Sequence, residues 1–271
     1  MRVIDLTHTM EIGMPVYPGD PFFRSRSAAE HEADGFFVSD LAFGSHTGTH
    51  LDFPFHCFED GEVSDDFLLE TFWLKAAAVD LTEMADRFCF GMLPPLIGPE
   101  LLRPFEPVFL EAEAVILKTG WSRRWGESDF YTAFPSLLPE TAEWLAERSI
   151  RLLGLETPSL SALDHYTPED GPLPASLSSR CASVESLFLH ADAESHRILL
   201  GRTPPVLLLE NLLCPDELPA ILPPLTDSWR EGLFTLAAFP LRLHRGDASP
   251  VRAAAIVETG AGEGNLTGLG E

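Results

Sequence analysis

Three of the nine histidines in this 271-residue chain fall within one short stretch, Ser45–His56, SHTGTHLDFPFH. With Asp52 they give four groups, His46, His50, Asp52 and His56, that can bind a divalent cation or carry a proton. A helix would put His46 and His50 on one face, but Gly48, two threonines and Pro54 make a poor helix. In an extended strand these even-numbered positions share a face, yet they spread by about 3.3 Å per residue, too far for one ion. The chain must therefore bend, and Gly48 and Pro54 are the residues that allow it. Two imidazoles and a carboxylate gathered by such a bend make an N,N,O site that zinc or manganese accepts. It is not a HExxH site, since Thr47 follows His46.

A second carboxylate stands at a telling place. Glu210 ends the apolar run Val206–Leu209, and an unpaired carboxylate is costly to bury there, so it needs a metal ion or an arginine. Other short apolar runs of strand length are Val3–Leu6, Val38–Phe43, Ala76–Leu81, Ala114–Leu117, Ile150–Leu155, Leu233–Phe239 and Ala253–Val257. Several are continuous rather than alternating, as expected of strands covered on both faces. Helix signals are fewer. Pro139–Arg148 is the clearest, with proline and acids at its start and arginine in its last turn; Gly98–Arg103 and Asp65–Thr71 suit shorter helices. This ratio of strands to helices predicts one α/β domain over residues 1–271, a mixed sheet with flanking helices. Pro158–Pro174 and Pro204–Pro224 read as long surface loops.

Composition narrows the partners. Forty-two acidic residues against 18 Lys and Arg give a formal net charge of −24. A polyanion is repelled by such a chain, which excludes nucleic acid and disfavours anionic membrane surfaces. Cys57, Cys89, Cys181 and Cys214 form no CxxC pair and read as thiols of a reducing compartment. No signal-peptide core and no membrane-length apolar window is present, so a cytoplasmic protein is expected.

The segment SHTGTHLDFPFH resembles the HxGTHxDxPxH signature of the metal-dependent cyclase family, which includes bacterial kynurenine formamidases, isatin hydrolase and trans-dienelactone hydrolase. DLTHTMEIGMPVYPGDP at Asp5–Pro21, ENL at Glu210–Leu212 and SPVRAA at Ser249–Ala254 fit in order. The resemblance implies a swivelling β/α/β fold assembled as a homodimer or homotetramer. It implies that His46, His50 and Asp52 hold one divalent ion. Asp52 and Glu210 would bridge to a second, completed by a histidine shortly before ENL. His196, in HRILL, has the matching context; His190 lies six residues earlier. Zinc is the expected ion and manganese the alternative, with one or two ions per subunit.

By the same resemblance His56 is the proton donor and acceptor, a role its ordinary pKa near 6.5 suits. Tyr17, in PVYPGDP, stands where the formamidases usually carry a substrate-stacking tryptophan. An aromatic small-molecule substrate follows, with Phe22, Phe23, Phe36, Phe37 and Phe43 also available as walls, Phe43 reading better as core. Glu156, in LGLETPSLSALD, reads either as support for the site or as a solvated acid at a strand end. His8 is a candidate for the pocket's vicinity, whereas His31, His165, His190 and His244 lack ligand partners in sequence. The chain is longer than compact formamidases, the extra length falling in Gly126–Pro135 and Asp164–Ser195. The expected function is an amidohydrolase converting N-formyl-L-kynurenine to kynurenine and formate in tryptophan catabolism. The alternatives are hydrolysis of a cyclic amide or ester and, from another class, a metal-stabilised binding protein without turnover. A titrating histidine beside the metal site favours the enzyme.

Overall fold

The computed structural model describes residues 1–85, 93–166 and 184–258. Cys89, Cys181 and part of the segment Asp164–Ser195 lie outside the described residues. In chain order the strands are β1 (Arg2–Asp5), β2 (Arg24–Ala29), β3 (Val38–Ala42), β4 (His50–Asp52), β5 (Trp73–Asp80), β6 (Leu96–Ile97) and β7 (Ala114–Lys118). They continue with β8 (Ser136–Leu137), β9 (Leu152–Leu155), β10 (Leu207–Glu210), β11 (Ala220–Ile221), β12 (Phe234–Ala237), β13 (Ala248–Pro250) and β14 (Ala254–Val257). Ten strands make one sheet in the order β1-β14-β12-β5-β7-β9-β10-β4-β13, with β11 pairing with β5. β2 and β3 form a separate hairpin, and β6 pairs with β8.

The centre of the sheet is parallel, through β5, β7, β9 and β10. Parallel strands are covered on both faces, which is why their sequences run apolar without alternation. Every residue of β7 and β9 is buried. Antiparallel strands extend this centre on both sides. Each of the eight apolar runs holds a strand, so the expected mixed α/β architecture is the one observed.

Parallel neighbours need long crossovers. The helix Pro139–Ala146 supplies one between β7 and β9, burying Ala142 and Leu145. It stops short of Arg148, whose guanidinium folds back over the Trp144 ring at 3.5 Å and bonds Glu106 at 2.9 Å. Pro99–Leu102 is helical as expected. Asp65–Thr71 is not an α-helix: two 3₁₀ turns, Ser64–Asp66 and Leu69–Phe72, replace it. Leu68 and Leu69 are exposed there, so no apolar stripe is available to bury a helix.

The largest departure lies between β9 and β10. Residues 158–163 are all buried rather than looped on the surface, because Ser159 Oγ and the Ser161 N–H bond the carboxylate of Asp192 at 2.8–3.0 Å. Asp192 belongs to a 17-residue helix, Val184–Leu200, which overlaps the additional segment Asp164–Ser195. Its buried face carries Ala191, Ser195, His196, Leu199 and Leu200, a helical spacing hidden by the polar Ser195 and His196 among the apolar ones. Among the described residues no helix is long and apolar enough to cross a membrane.

Candidate metal centre and active site

The bend required by the motif occurs at Gly48, whose φ of +66° is a left-handed conformation that glycine adopts freely. β4 follows at once. His50 and Asp52 then share one face while Leu51, wholly buried, points into the core. β4 pairs with β10 in a register that sets His50 opposite Glu210 and Leu51 opposite Leu209. One cross-strand pair thus joins residues far apart in sequence on the polar face of an otherwise apolar sheet. Pro54 opens a 3₁₀ turn, Pro54–His56, that swings His56 back beside the turn residues. His196 arrives from the buried face of its helix.

These elements bring all five expected ligands together. His46 Nδ1 is 3.0 Å from Asp52 Oδ1, and His50 Nε2 is 3.2 Å from the same oxygen and 3.6 Å from Glu210 Oε2. On the other side His196 Nε2 is 3.5 Å from Glu210 Oε1 and 3.8 Å from Asp52 Oδ2. Asp52 therefore stands between two groups of donors. Two tautomers are fixed by backbone carbonyls, which can only accept. The Nδ1–H of His50 donates to Gly48 O and that of His196 to Asp192 O, both at 2.8 Å. Each leaves a lone pair on Nε2, aimed at carboxylates that also have only lone pairs to offer.

That geometry fits a cation. His50 Nε2, Asp52 Oδ1 and Glu210 Oε1 are buried and have no hydrogen-bond partner, an arrangement that is costly unless something positive lies between them. A divalent ion meets the need, and the imidazole and carboxylate donors are those that zinc and manganese accept. Glu210 has no arginine partner among the described residues; its close neighbours are His50 and His196.

Without a cation the groups would share protons. Burial opposes charge on His46, but Asp52 and Asp247 outweigh it and lift its pKa to about 10. Burial likewise opposes charge on His196, whose pKa Asp192 and Glu210 raise well above the ordinary value. Asp52 is held well below the usual carboxylate range by His46 and His50, against its own burial. Burial and the charge of Asp52 push Glu210 up. His56 goes the other way. Burial lowers it, and Asp52 only partly offsets the effect. Its ring centre lies 4.4 Å from that of His46 and 5.7 Å from that of His196, beside both donor groups.

A cavity of about 240 Å³ opens on these side chains and is lined also by Tyr17 and Tyr131. The two tyrosine rings stand edge to face, 5.7 Å apart. Tyr17 thus reaches the pocket as expected, and Tyr131 comes from the additional segment Gly126–Pro135. The five phenylalanines proposed as walls do not line it. Phe22, Phe36 and Phe37 are exposed, and Phe23 is buried against Phe43. His8 stacks on Trp125 at 4.0 Å, and its backbone N–H donates to Thr49 Oγ1. Glu156 is neither solvated nor in the pocket. It is buried after β9 and accepts from the N–H groups of Thr119 and Gly120 and from Ser122 Oγ, anchoring the turn that follows β7.

Sequence reasoning missed Tyr131, Asn211, Asp192, Asp247 and His165. Asn211 lines the cavity with Tyr131 and Asp192, while Asp247 and His165 bond site residues from further out: His46 Nε2 lies 3.2 Å from Asp247 Oδ2, and the Tyr17 hydroxyl 3.5 Å from His165 Nε2. Asn211 lies within the ENL stretch and Asp247 just before SPVRAA, but neither position carries a role that its residue type alone reveals. Cys57, next to His56, is half-buried and free, and Cys214 is buried and free.

The chain is similar to known proteins along most of its length. A kynurenine formamidase of Bacillus cereus is 27% identical over 252 residues, 92% of this chain and 95% of that one. A kynurenine formamidase of Salinibacter ruber is 27% identical over 255 residues, 93% of this chain and 96% of that one. Among solved structures, isatin hydrolase A from Labrenzia aggregata, bound to benzyl benzoate, shares the fold with a TM-score of 0.69 and 23% identity, covering 94% of this chain and 93% of its own. The family model described as putative cyclase matches residues 4–162, a span that contains the whole histidine motif and more than half of the sequence. The chain belongs to the putative cyclase family.

Proposed function

We propose that this protein is a metal-dependent hydrolase that cleaves the C–N bond of an aryl formamide, with N-formyl-L-kynurenine the leading substrate and kynurenine and formate the products. The observation that carries the proposal is the buried cluster of imidazoles and carboxylates whose inward-facing atoms lack hydrogen-bond partners, set beside a tyrosine-lined cavity. The kynurenine formamidases similar along almost the whole chain support it. In this reading His46, His50 and Asp52 hold one ion, and Asp52, His196 and Glu210 a second. Zinc is the proposed metal and manganese the alternative. A divalent cation in this place polarises a carbonyl oxygen and makes water acidic enough to attack at neutral pH.

The chain's own residues do the rest. His56, neutral because burial lowers its pKa, takes a proton from the attacking water and hands it to the leaving nitrogen. Hydroxyl adds to the formyl carbon, the C–N bond breaks, and formate and an arylamine leave. Tyr17 and Tyr131 flank the aryl ring. Because Tyr17 stands where formamidases usually carry tryptophan, a cyclic amide or ester of the isatin or dienelactone type remains the second reading. We also read residues 1–271 as one domain, supported by a continuous core from Ile4 to Ala255, and the protein as a cytoplasmic homo-oligomer.

The test is hydrolysis of N-formyl-L-kynurenine by protein stripped of metal and reloaded with zinc or manganese. Metal-restored turnover of about 1 s⁻¹ or more is expected, an ordinary enzymatic rate. Metal binding with turnover only of lactams or lactones would move the substrate to the second reading. Binding that raises Tm without any hydrolysis would leave a metal-stabilised binding protein.

A further inference from the structure

Among the three histidines placed around Asp52 and Glu210, His46 is held differently. His50 and His196 are fixed by backbone carbonyls, which no substitution removes. The Nε2 of His46 instead meets a side chain, Asp247 Oδ2 at 3.2 Å, while its Nδ1 faces Asp52 Oδ1 at 3.0 Å. Asp247 is itself well placed. Its carbonyl accepts the N–H of Phe53 at 2.9 Å, Ser45 Oγ donates to its carboxylate at 3.3 Å, and the next residue, Ala248, pairs with Asp52 across β13 and β4. It contacts the ring edge opposite Asp52, so it is not one of the clustered donors.

We infer that Asp247 is a positioning residue: by accepting a hydrogen bond from Nε2–H of His46 it keeps the ring's lone pair on Nδ1, directed at the Asp52 side of the site. The inference rests on the proposed role of His46 as a metal ligand. A carboxylate in this place can only accept, so once a cation competes for Nδ1 on the Asp52 side it holds the proton on Nε2 and makes the far nitrogen a better donor to that cation. An amide in the same place can donate, which reverses the preference.

The test compares Asp247→Asn, Asp247→Ala and Asp247→Glu by zinc affinity, measured in competition with a chromophoric chelator on the full chain. Loss of a partner of this kind typically weakens metal binding by about 10- to 100-fold. Asp247→Asn, the closest match in shape, is expected to weaken zinc binding at least as much as Asp247→Ala, and Asp247→Glu to recover part of it. In the ¹⁵N spectrum of the metal-free protein, taken at a pH high enough to make the His46 ring neutral, the remaining proton should sit on Nε2 in the wild type and shift toward Nδ1 in Asp247→Asn. A merely structural role would rank Ala below Asn and leave the tautomer unmoved. Wild-type affinity in Asp247→Asn, within about threefold, overturns the inference alone. Absence of zinc and manganese binding by the wild type overturns the ligand role of His46 with it.

Discussion

His46 and His56 share one motif, and their surroundings push the two imidazoles in opposite directions. His46 sits between Asp52 and Asp247 and holds its proton up to about pH 10. In the proposed ligand set a metal ion must displace that proton. Zinc binding at pH 8 is therefore expected to release protons and to tighten as pH rises, which calorimetry in buffers of different ionisation heat will read as a buffer-dependent enthalpy. The sign for stability follows the same shift. The imidazolium stabilises the metal-free fold fully below the unfolded value of 6.5 and loses that contribution as pH climbs through about 10. Burial drives His56 downward, so the acid limb of kcat/KM should fall below pH 6.5; a limb above it would assign the proton transfer elsewhere. Replacing each by alanine separates the roles. His46→Ala should abolish activity and metal retention together. His56→Ala should lower kcat by about 10²–10⁴ with metal content unchanged, and equal metal loss in both variants would refute the division.

Two elements, β4 and β10, decide whether these side chains meet. Their register places His50 against Glu210, and a one-residue slip would send both to the wrong face of the sheet. The turn before β4 guards that register. Gly48→Ala would force a left-handed backbone on a residue with a Cβ, at about 1–2 kcal/mol, and would set that Cβ 3.3 Å from Met14 Cε. A lower denaturation midpoint and weaker metal retention are expected; a variant unchanged in both would show that the turn does not control the site. The bend itself was legible in the sequence, since four groups spaced over eleven residues reach one ion only if the chain turns. So were the parallel strands, because burial on both faces removes alternation. The helix Val184–Leu200 was not, because Ser195 and His196 interrupt its apolar face. Asp192 and Asp247 were hidden for a simpler reason: an aspartate's partners lie in tertiary space, and nothing in HADAE or RGDAS separates them from the other acids of an acidic chain. The phenylalanine walls failed because aromatic type does not reveal which way a side chain faces.

The whole molecule carries a net charge of −24, and the described lining of the cavity holds Asp20 and Asp192 but no lysine or arginine. An anionic aryl formamide such as N-formylanthranilate should be repelled on approach. Its kcat/KM is expected to rise severalfold as ionic strength goes from about 0.01 M to 0.15 M and the Debye length shrinks from about 30 Å to 8 Å. Neutral formanilide should show no such change; equal salt dependence for both would remove charge as a determinant of selection. The order of the strands has a consequence in time. β4 is made early, but the strands on its two sides, β10 and β13, are among the last, and 201 residues separate His46 from Asp247. At about 5–20 residues per second a ribosome needs roughly 10–40 s to make that interval. For most of it the histidine motif emerges without Glu210, and for all of it without Asp247, so the pairing of His50 with Glu210 forms only once β10 has been made. In the proposed ligand set, the ion that needs Glu210 would thus wait for β10, well after the histidine motif itself has been made.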